Sequence, residues 1–521
     1  MGVVACAAPQ AAPPGHLIVQ VASAPNNFDP RVGTDEMSQR VAQLVFSNLM
    51  ALDENLRVVP ALAARLENPD PLTYVAHLRR GVRFHDGREL TADDVVYTFT
   101  SLLDPEFLSP RKGAYRIVES IDALDGYTVR FRLKEPFGSF PVQLVLPIVP
   151  AGAGDELRAF PIGTGPYRFV RYDVDDRVVL DAFEGYYDGL PLNTGLVLKI
   201  VPDDTMRGLE LRKGTADLVI NDVAPDIAHQ LREDGHLQVV TGPGTDYQYI
   251  GFNMRDPILS NARVRHAIAY AVDRQAIVDY LRRGQAQVAT GLLPPVSWAF
   301  EPGVRVFARD VERAKTLLDE AGWRDPDGDG PLPRVSLTLK ISTNEFSRLQ
   351  ASVIQQDLRA IGIDLDVRSY EFATLYADVL KGNFQMFTLQ WVGGAVADPD
   401  ILRRVFHSEQ VPPAGFNRGY YSNPEVDRAL EAASRATEEA ERKRLYAEAQ
   451  RLIAADAPYV SLWNKTNVAV MQRGITGLRL LPTADFTVLK DVRKNQAPIS
   501  NSQLPRDRRS RPGSRELDVG R

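Results

Sequence analysis

The residues of this chain whose types and spacing could do chemistry fall in three places. Asp325-Pro326-Asp327-Gly328-Asp329-Gly330 puts acids at positions one, three and five and a glycine at six, as the start of an EF-hand calcium loop does. Position twelve is Ser336, where that loop needs a bidentate glutamate. An Asp/Gly turn leading into a strand is the favoured expectation, with weak calcium binding by Asp325, Asp327 and Asp329 as the alternative. The acid pairs Asp93-Asp94 and Asp203-Asp204 stand where helices or turns begin, and carboxylates there cap more often than they catalyse. The third place is Trp391 and the loop after it, Val392-Gly393-Gly394-Ala395-Val396-Ala397-Asp398. Glycines let a ligand approach the backbone closely, and an aromatic at a strand end is either a pocket wall or a core residue.

The motifs of the common enzyme classes are missing. The seven histidines form no His-Glu-x-x-His pair, and there is no Gly-x-Ser-x-Gly elbow and no phosphate-cradling Gly-x-x-x-x-Gly-Lys-Ser/Thr loop. Gly163-Thr164-Gly165 is not a dinucleotide fingerprint, because Arg168 stands at the third glycine. Neither catalysis nor a cofactor is expected. With 61 Lys and Arg against 67 Asp and Glu, the chain lacks the basic excess that a nucleic-acid partner needs. Its 44% hydrophobic and 25% charged residues suit a soluble globular protein, and 521 residues suit two or three domains. No apolar run reaches the roughly 18 residues of a spanning helix.

The single cysteine, Cys6, rules out an internal disulfide and a zinc-thiolate cluster. Val3-Val4-Ala5-Cys6, ahead of an Ala/Pro-rich stretch, resembles a bacterial lipobox, with a chance cysteine as the alternative. A signal peptide has an apolar core of about 7–15 residues, and only Met1 to Ala5 precede the cysteine. A longer precursor with a lipid on Cys6 is therefore expected.

The pattern of apolar residues sets the elements that position these groups. Residues 17–21 read as a strand, followed by a Pro/Asn loop that holds Asn27 and Phe28. Val41, Leu44, Val45, Asn48 and Leu49 share a helical face. Thr91 with Asp94 forms a capping box for a helix. Further on, helices are predicted over 311–321, 346–361, 424–436 and 438–456, and strands over 335–341, 363–367 and 384–391. Alternating helices and strands predict an α/β fold with a largely parallel sheet. The polar, basic stretch 493–521 has no apolar face and is expected to be disordered.

Several strings recur in a familiar order: Leu78-Arg79-Arg80-Gly81-Val82-Arg83-Phe84-His85-Asp86-Gly87 with Thr91 to Tyr97, then Gly163-Thr164-Gly165-Pro166-Tyr167, then Tyr249-Ile250-Gly251-Phe252-Asn253 with a helix ending in Ala271-Val272-Asp273-Arg274. Over roughly residues 16–490 the chain resembles the family 5 extracellular solute-binding proteins, the dipeptide-, oligopeptide- and nickel-binding receptors of bacterial ABC importers. The resemblance implies a bilobed periplasmic-binding-protein-like fold of the class II type. Lobe I would combine 16–48, 163–253 and 467–492, with an additional domain at 49–162; lobe II would be 254–466, and 1–15 a lipoprotein-like start. It implies a monomer, periplasmic or at the cell surface, touching the membrane only through a lipid anchor. It would capture a small or peptide-like ligand and pass it to a permease and, through that, to an ATPase. A secreted hydrolase, or a chaperone or adhesion protein on the same scaffold, is the alternative.

The chain departs from those relatives at two charge anchors. They place an aspartate shortly after the tryptophan, where this chain has Gly393 to Ala395. Dipeptide receptors hold the carboxylate with an arginine in the loop matching Ser342-Thr343-Asn344-Glu345, where none stands before Arg348. A ligand other than a plain dipeptide is expected, held by Asn27, Phe28, Asn344, Glu345, Trp391, Gly393, Gly394 and Asp398. No metal ligand set is assigned, and His407 carries no weight as one.

Overall fold

The computed structural model describes residues 13–328, 330–392, 394 and 397–495; Cys6, Asp329, Gly393 and 496–521 of the basic stretch lie outside the described residues. The strand Leu17–Val21 is buried on both faces: Leu17, Val19 and Val21 enter one core and Ile18 another. A strand covered on both faces belongs inside a sheet, and this one pairs in parallel with Gly195–Ile200 and Leu218–Ile220. A second parallel triplet is built from Val335–Ser342, Ile363–Tyr370 and Met386–Trp391.

One eleven-stranded sheet contains both triplets. It is mixed, not largely parallel. The strand Leu237–Phe252 carries the chain from the first triplet to the second, and Tyr459–Gln472 brings it back. An outgoing and a returning strand must run counter to each other, and these two pair antiparallel from Leu237↔Gln472 to Gly251↔Tyr459. The first triplet joins this pair through Leu218–Ile220, the second through Met386–Trp391. The pairing slips between Pro243 and Tyr247. Gly244 stands in that slip, where a Cβ would lie 2.3 Å from the Lys465 carbonyl oxygen. Two strands with a mid-length irregularity are thus the main connection between the two halves of the sheet.

A separate four-stranded antiparallel sheet, Ala63–Asp70, Thr73–Leu78, Thr128–Leu133 and Val118–Asp125, has its own core around Phe84, Phe99, Phe131 and Phe140. Its helix Ala92–Leu103 starts at Thr91, whose backbone N–H donates to Asp94 Oδ2 at 2.8 Å. Segments flanking this sheet reach the second half of the chain. The Gly138 N–H donates to the Ser434 carbonyl at 2.7 Å, and the Trp298 N–H to the Asn55 carbonyl at 3.1 Å.

Two element ends differ from expectation. The helix Glu36–Val45 stops at Phe46, so Asn48 and Leu49 lie beyond it; Leu49 N–H bonds the Leu146 carbonyl instead. Arg493–Lys494, placed at the start of the tail, pair as a short strand with Ile475–Thr476.

Candidate functional site

In an open α/β sheet, ligands bind beyond the carboxyl ends of the parallel strands. In the second triplet those ends lead into the helix Glu345–Arg359, the helix Phe372–Lys381 and the glycine loop after Trp391. Each exit carries an apolar side chain left in water: Leu349 is 49% exposed, Phe372 58% and Val392 61%. Phe372 stacks on Tyr376, with ring centroids 5.8 Å apart. The helices that carry Leu349 and Phe372 pack into different cores of the sheet, so each exit presents its own exposed apolar group.

Behind this edge lies an aromatic box. Trp391 is buried against Phe416, and the Arg418 guanidinium lies 4.9 Å from the Trp391 ring centre and 5.2 Å from that of Tyr376. Arg418 Nη1 donates to the Tyr249 hydroxyl and Nη2 to the Tyr376 hydroxyl, both at 3.1 Å. Tyr249 stacks on Tyr459 at 4.2 Å. Burial holds the Tyr459 phenol well above its usual pKa, so it is a neutral donor. Among the described residues Trp391 Nε1 and Arg418 Nε find no partner.

The expected ligand residues separate into two groups. Trp391, Gly394 and Asp398 belong to the loop at this edge, and a Cβ on Gly394 would meet nothing within 4 Å. Asn344 and Glu345 start the neighbouring helix; the Asn344 side chain caps it by accepting from Ser347 N–H at 2.8 Å, and Glu345 is exposed in the first turn. Asp398 accepts from the Ser139 hydroxyl at 2.7 Å and the Asp400 N–H at 2.8 Å, with Arg442 3.6 Å away. Burial pushes its carboxyl up, and the Arg442 charge only partly offsets that. It joins the 49–162 segment to the second half of the chain.

Asn27 and Phe28 lie elsewhere. The Phe28 ring is buried in the first core against Phe169 and Tyr172. The Asn27 side chain accepts from Asp29 N–H and shapes the loop. In the acidic loop, Asp325 accepts from the N–H groups of Asp327 and Gly328 and faces Arg334, and Asp327 accepts from Leu332 N–H. These contacts shape the turn. Among the described residues no three His, Cys, Asp or Glu side chains gather to hold a metal. His407 bonds Glu431 at 3.1 Å.

Arg418 was missed from sequence. Its only signal was an arginine flanked by aromatics, Phe416-Asn417-Arg418-Gly419-Tyr420-Tyr421. The strongest strings have a different role. His85 meets the Gly163-Thr164-Gly165 string: its N–H bonds the Gly163 carbonyl at 2.9 Å and its Nε2 the Gly165 carbonyl at 3.1 Å. Burial drives its pKa down to about 4, so the ring is neutral. Cβ atoms on Gly163 and Gly165 would lie 2.1 and 2.5 Å from the carbonyls of Val45 and Leu44. The two strings form a structural junction.

Comparison with known proteins agrees with this architecture. The model of the bacterial extracellular solute-binding proteins, family 5, matches residues 57–412. The oligopeptide-binding protein AppA of Bacillus subtilis is 29% identical, over 91% of this chain and 90% of its own. Di/tripeptide-binding protein 2 of Pseudomonas aeruginosa is 31% identical, over 92% and 95%. Among solved structures, NikZ of Campylobacter jejuni in complex with Ni(L-His) superposes with a TM-score of 0.76 at 26% identity, over 93% of this chain and all of the other. No described helix is long and apolar enough to cross a membrane. With a bilobed α/β fold and a family match over well over half its length, the chain belongs to the family 5 bacterial extracellular solute-binding proteins.

Proposed function

We propose that this chain is the receptor of an ABC importer for a peptide-like solute with apolar side chains. The observation that carries this reading is the exposed apolar set Leu349, Phe372 and Val392 at the carboxyl ends of three parallel strands. The relatives named above bind oligopeptides, di- and tripeptides and a nickel–histidine complex. The lobes, divided as the sequence suggests, close over the solute by bending at the slip in the two long strands. The Ser139–Asp398–Arg442 contacts hold the closed form. No covalent chemistry is performed. The partners are a permease and its ATPase, and Cys6 carries a lipid anchor at the outer face of the membrane.

The test uses the purified protein and a pool of tripeptides rich in leucine, valine and phenylalanine. Binding raises the melting temperature by mass action and compacts the particle in small-angle scattering. Trp391→Ala weakens binding by about 1–3 kcal/mol if the ring packs on the bound peptide. Hydrolysis of the peptides, abolished by a single substitution, would show an enzyme instead.

A further inference from the structure

We propose that Arg418 anchors a carboxylate of the ligand, which enters over Phe372 and Tyr376 and pairs with the guanidinium beside Trp391. This rests on the receptor reading above and names one contact within it.

Arg418 is the exception among the buried arginines. Arg31, Arg40, Arg207 and Arg442 each face a carboxylate. Arg265 and Arg274 are surrounded by backbone carbonyls. Arg418 is 5% exposed and has, among the described residues, two neutral hydroxyls and no carboxylate. A buried cation without a counter-charge is costly, and that cost is relieved when an anion arrives.

The surroundings favour an acceptor. Arg418 Nε and Trp391 Nε1 are donors without partners among the described residues, and the Arg418 guanidinium lies 4.9 Å from the Trp391 ring centre. A carboxylate brings two oxygens and about four lone-pair sites and accepts from a guanidinium in a bidentate fork. Ring faces hold the guanidinium plane and leave its N–H edge for pairing. The route is marked as well: exposed Phe372 stacks on half-buried Tyr376, whose hydroxyl touches Arg418. The ligand class is therefore an acid carrying apolar groups.

Calorimetry with two probes tests this: the apolar tripeptide pool, and the same pool amidated at its carboxyl ends. The wild-type protein should bind the acids at least about tenfold more tightly than the amides. Arg418→Met should bind both pools as the wild type binds the amides, and Arg418→Lys should keep part of the preference. The wild-type comparison decides even if Arg418→Met does not fold. Equal binding of the two pools, or a preference that survives in Arg418→Met, overturns the anchor and leaves the receptor reading standing. Absence of both binding and compaction with either pool overturns the peptide reading and the anchor with it.

Discussion

The two parallel triplets of the large sheet have the same local build and opposite finishes. At the carboxyl edge of the first, polar groups are paired. Asp222 accepts from the Ala22 N–H at 3.1 Å and from Arg40 at 2.6 Å, and Asn221 exchanges hydrogen bonds with Asn467 and Val468. At the edge of the second, apolar side chains stand in water and buried donors lack acceptors. One edge is complete as it stands, while the other has the chemistry of a surface that a second molecule finishes. Substitutions at the first edge should therefore cost stability, and those at the second should cost binding.

The largest expected effect is at the completed edge. Asp222→Ala removes the more buried of the two carboxylates that face Arg40, leaving only the exposed Glu36, and leaves the Ala22 N–H without its acceptor. The guanidinium then keeps only an exposed counter-charge and a backbone donor loses its acceptor, and together about 3 kcal/mol of unfolding free energy should be lost. Chemical denaturation measures it. A loss of under about 1 kcal/mol would mean that this edge is no more complete than the other.

A smaller effect sharpens the comparison through pH. His85 sits in the paired junction with Gly163 and Gly165, and its pKa is driven down to about 4 from an ordinary 6.5. Between those values the unfolded chain binds a proton that the native protein refuses. Stability from this site is full above pH 6.5 and falls as pH drops toward 4. The loss should reach about 2 kcal/mol at pH 5. Buried acids such as Asp398 and Asp357 are shifted upward and oppose this trend, so the measurement is the difference between wild type and His85→Gln across pH 4–7. A flat difference would show that the junction does not hold the ring neutral.

The contrast also explains what was legible in the sequence. Element positions followed from local rules: Thr91 and Asp94 start the helix Ala92–Leu103, and 335–341 is a strand buried at alternate residues. The mixed sheet was not legible, because strand direction depends on where the chain crosses between halves. Of the candidate site, the loop at Trp391 was legible as a strand end followed by glycines, because a tryptophan ending an apolar run next to glycines has a local signature. The burial of Phe28 was not legible, because an aromatic in a Pro/Asn loop looks the same whether its ring turns to a cleft or to the core. Arg418 was not found, because its meaning depends on missing partners, and a missing counter-charge is a property of three-dimensional neighbours.

The smallest expected change in stability belongs to the unfinished edge. Arg418→Met gives up two hydrogen bonds to hydroxyls and contacts with the rings of Trp391, Phe416 and Tyr376. Each such contact contributes about 1 kcal/mol. The substitution also removes a buried charge that no carboxylate balances, and a well-fitting apolar chain in place of buried ions is often neutral or stabilising. Methionine is unbranched and fills the stem's path between the rings. The opposing terms nearly cancel, so the unfolding free energy should stay within about 1 kcal/mol of wild type in the absence of peptide. Measured beside Asp222→Ala, it separates the two edges on one scale. A loss of about 3 kcal/mol or more would make Arg418 a structural pin like Arg40, and the second edge would then be as complete as the first.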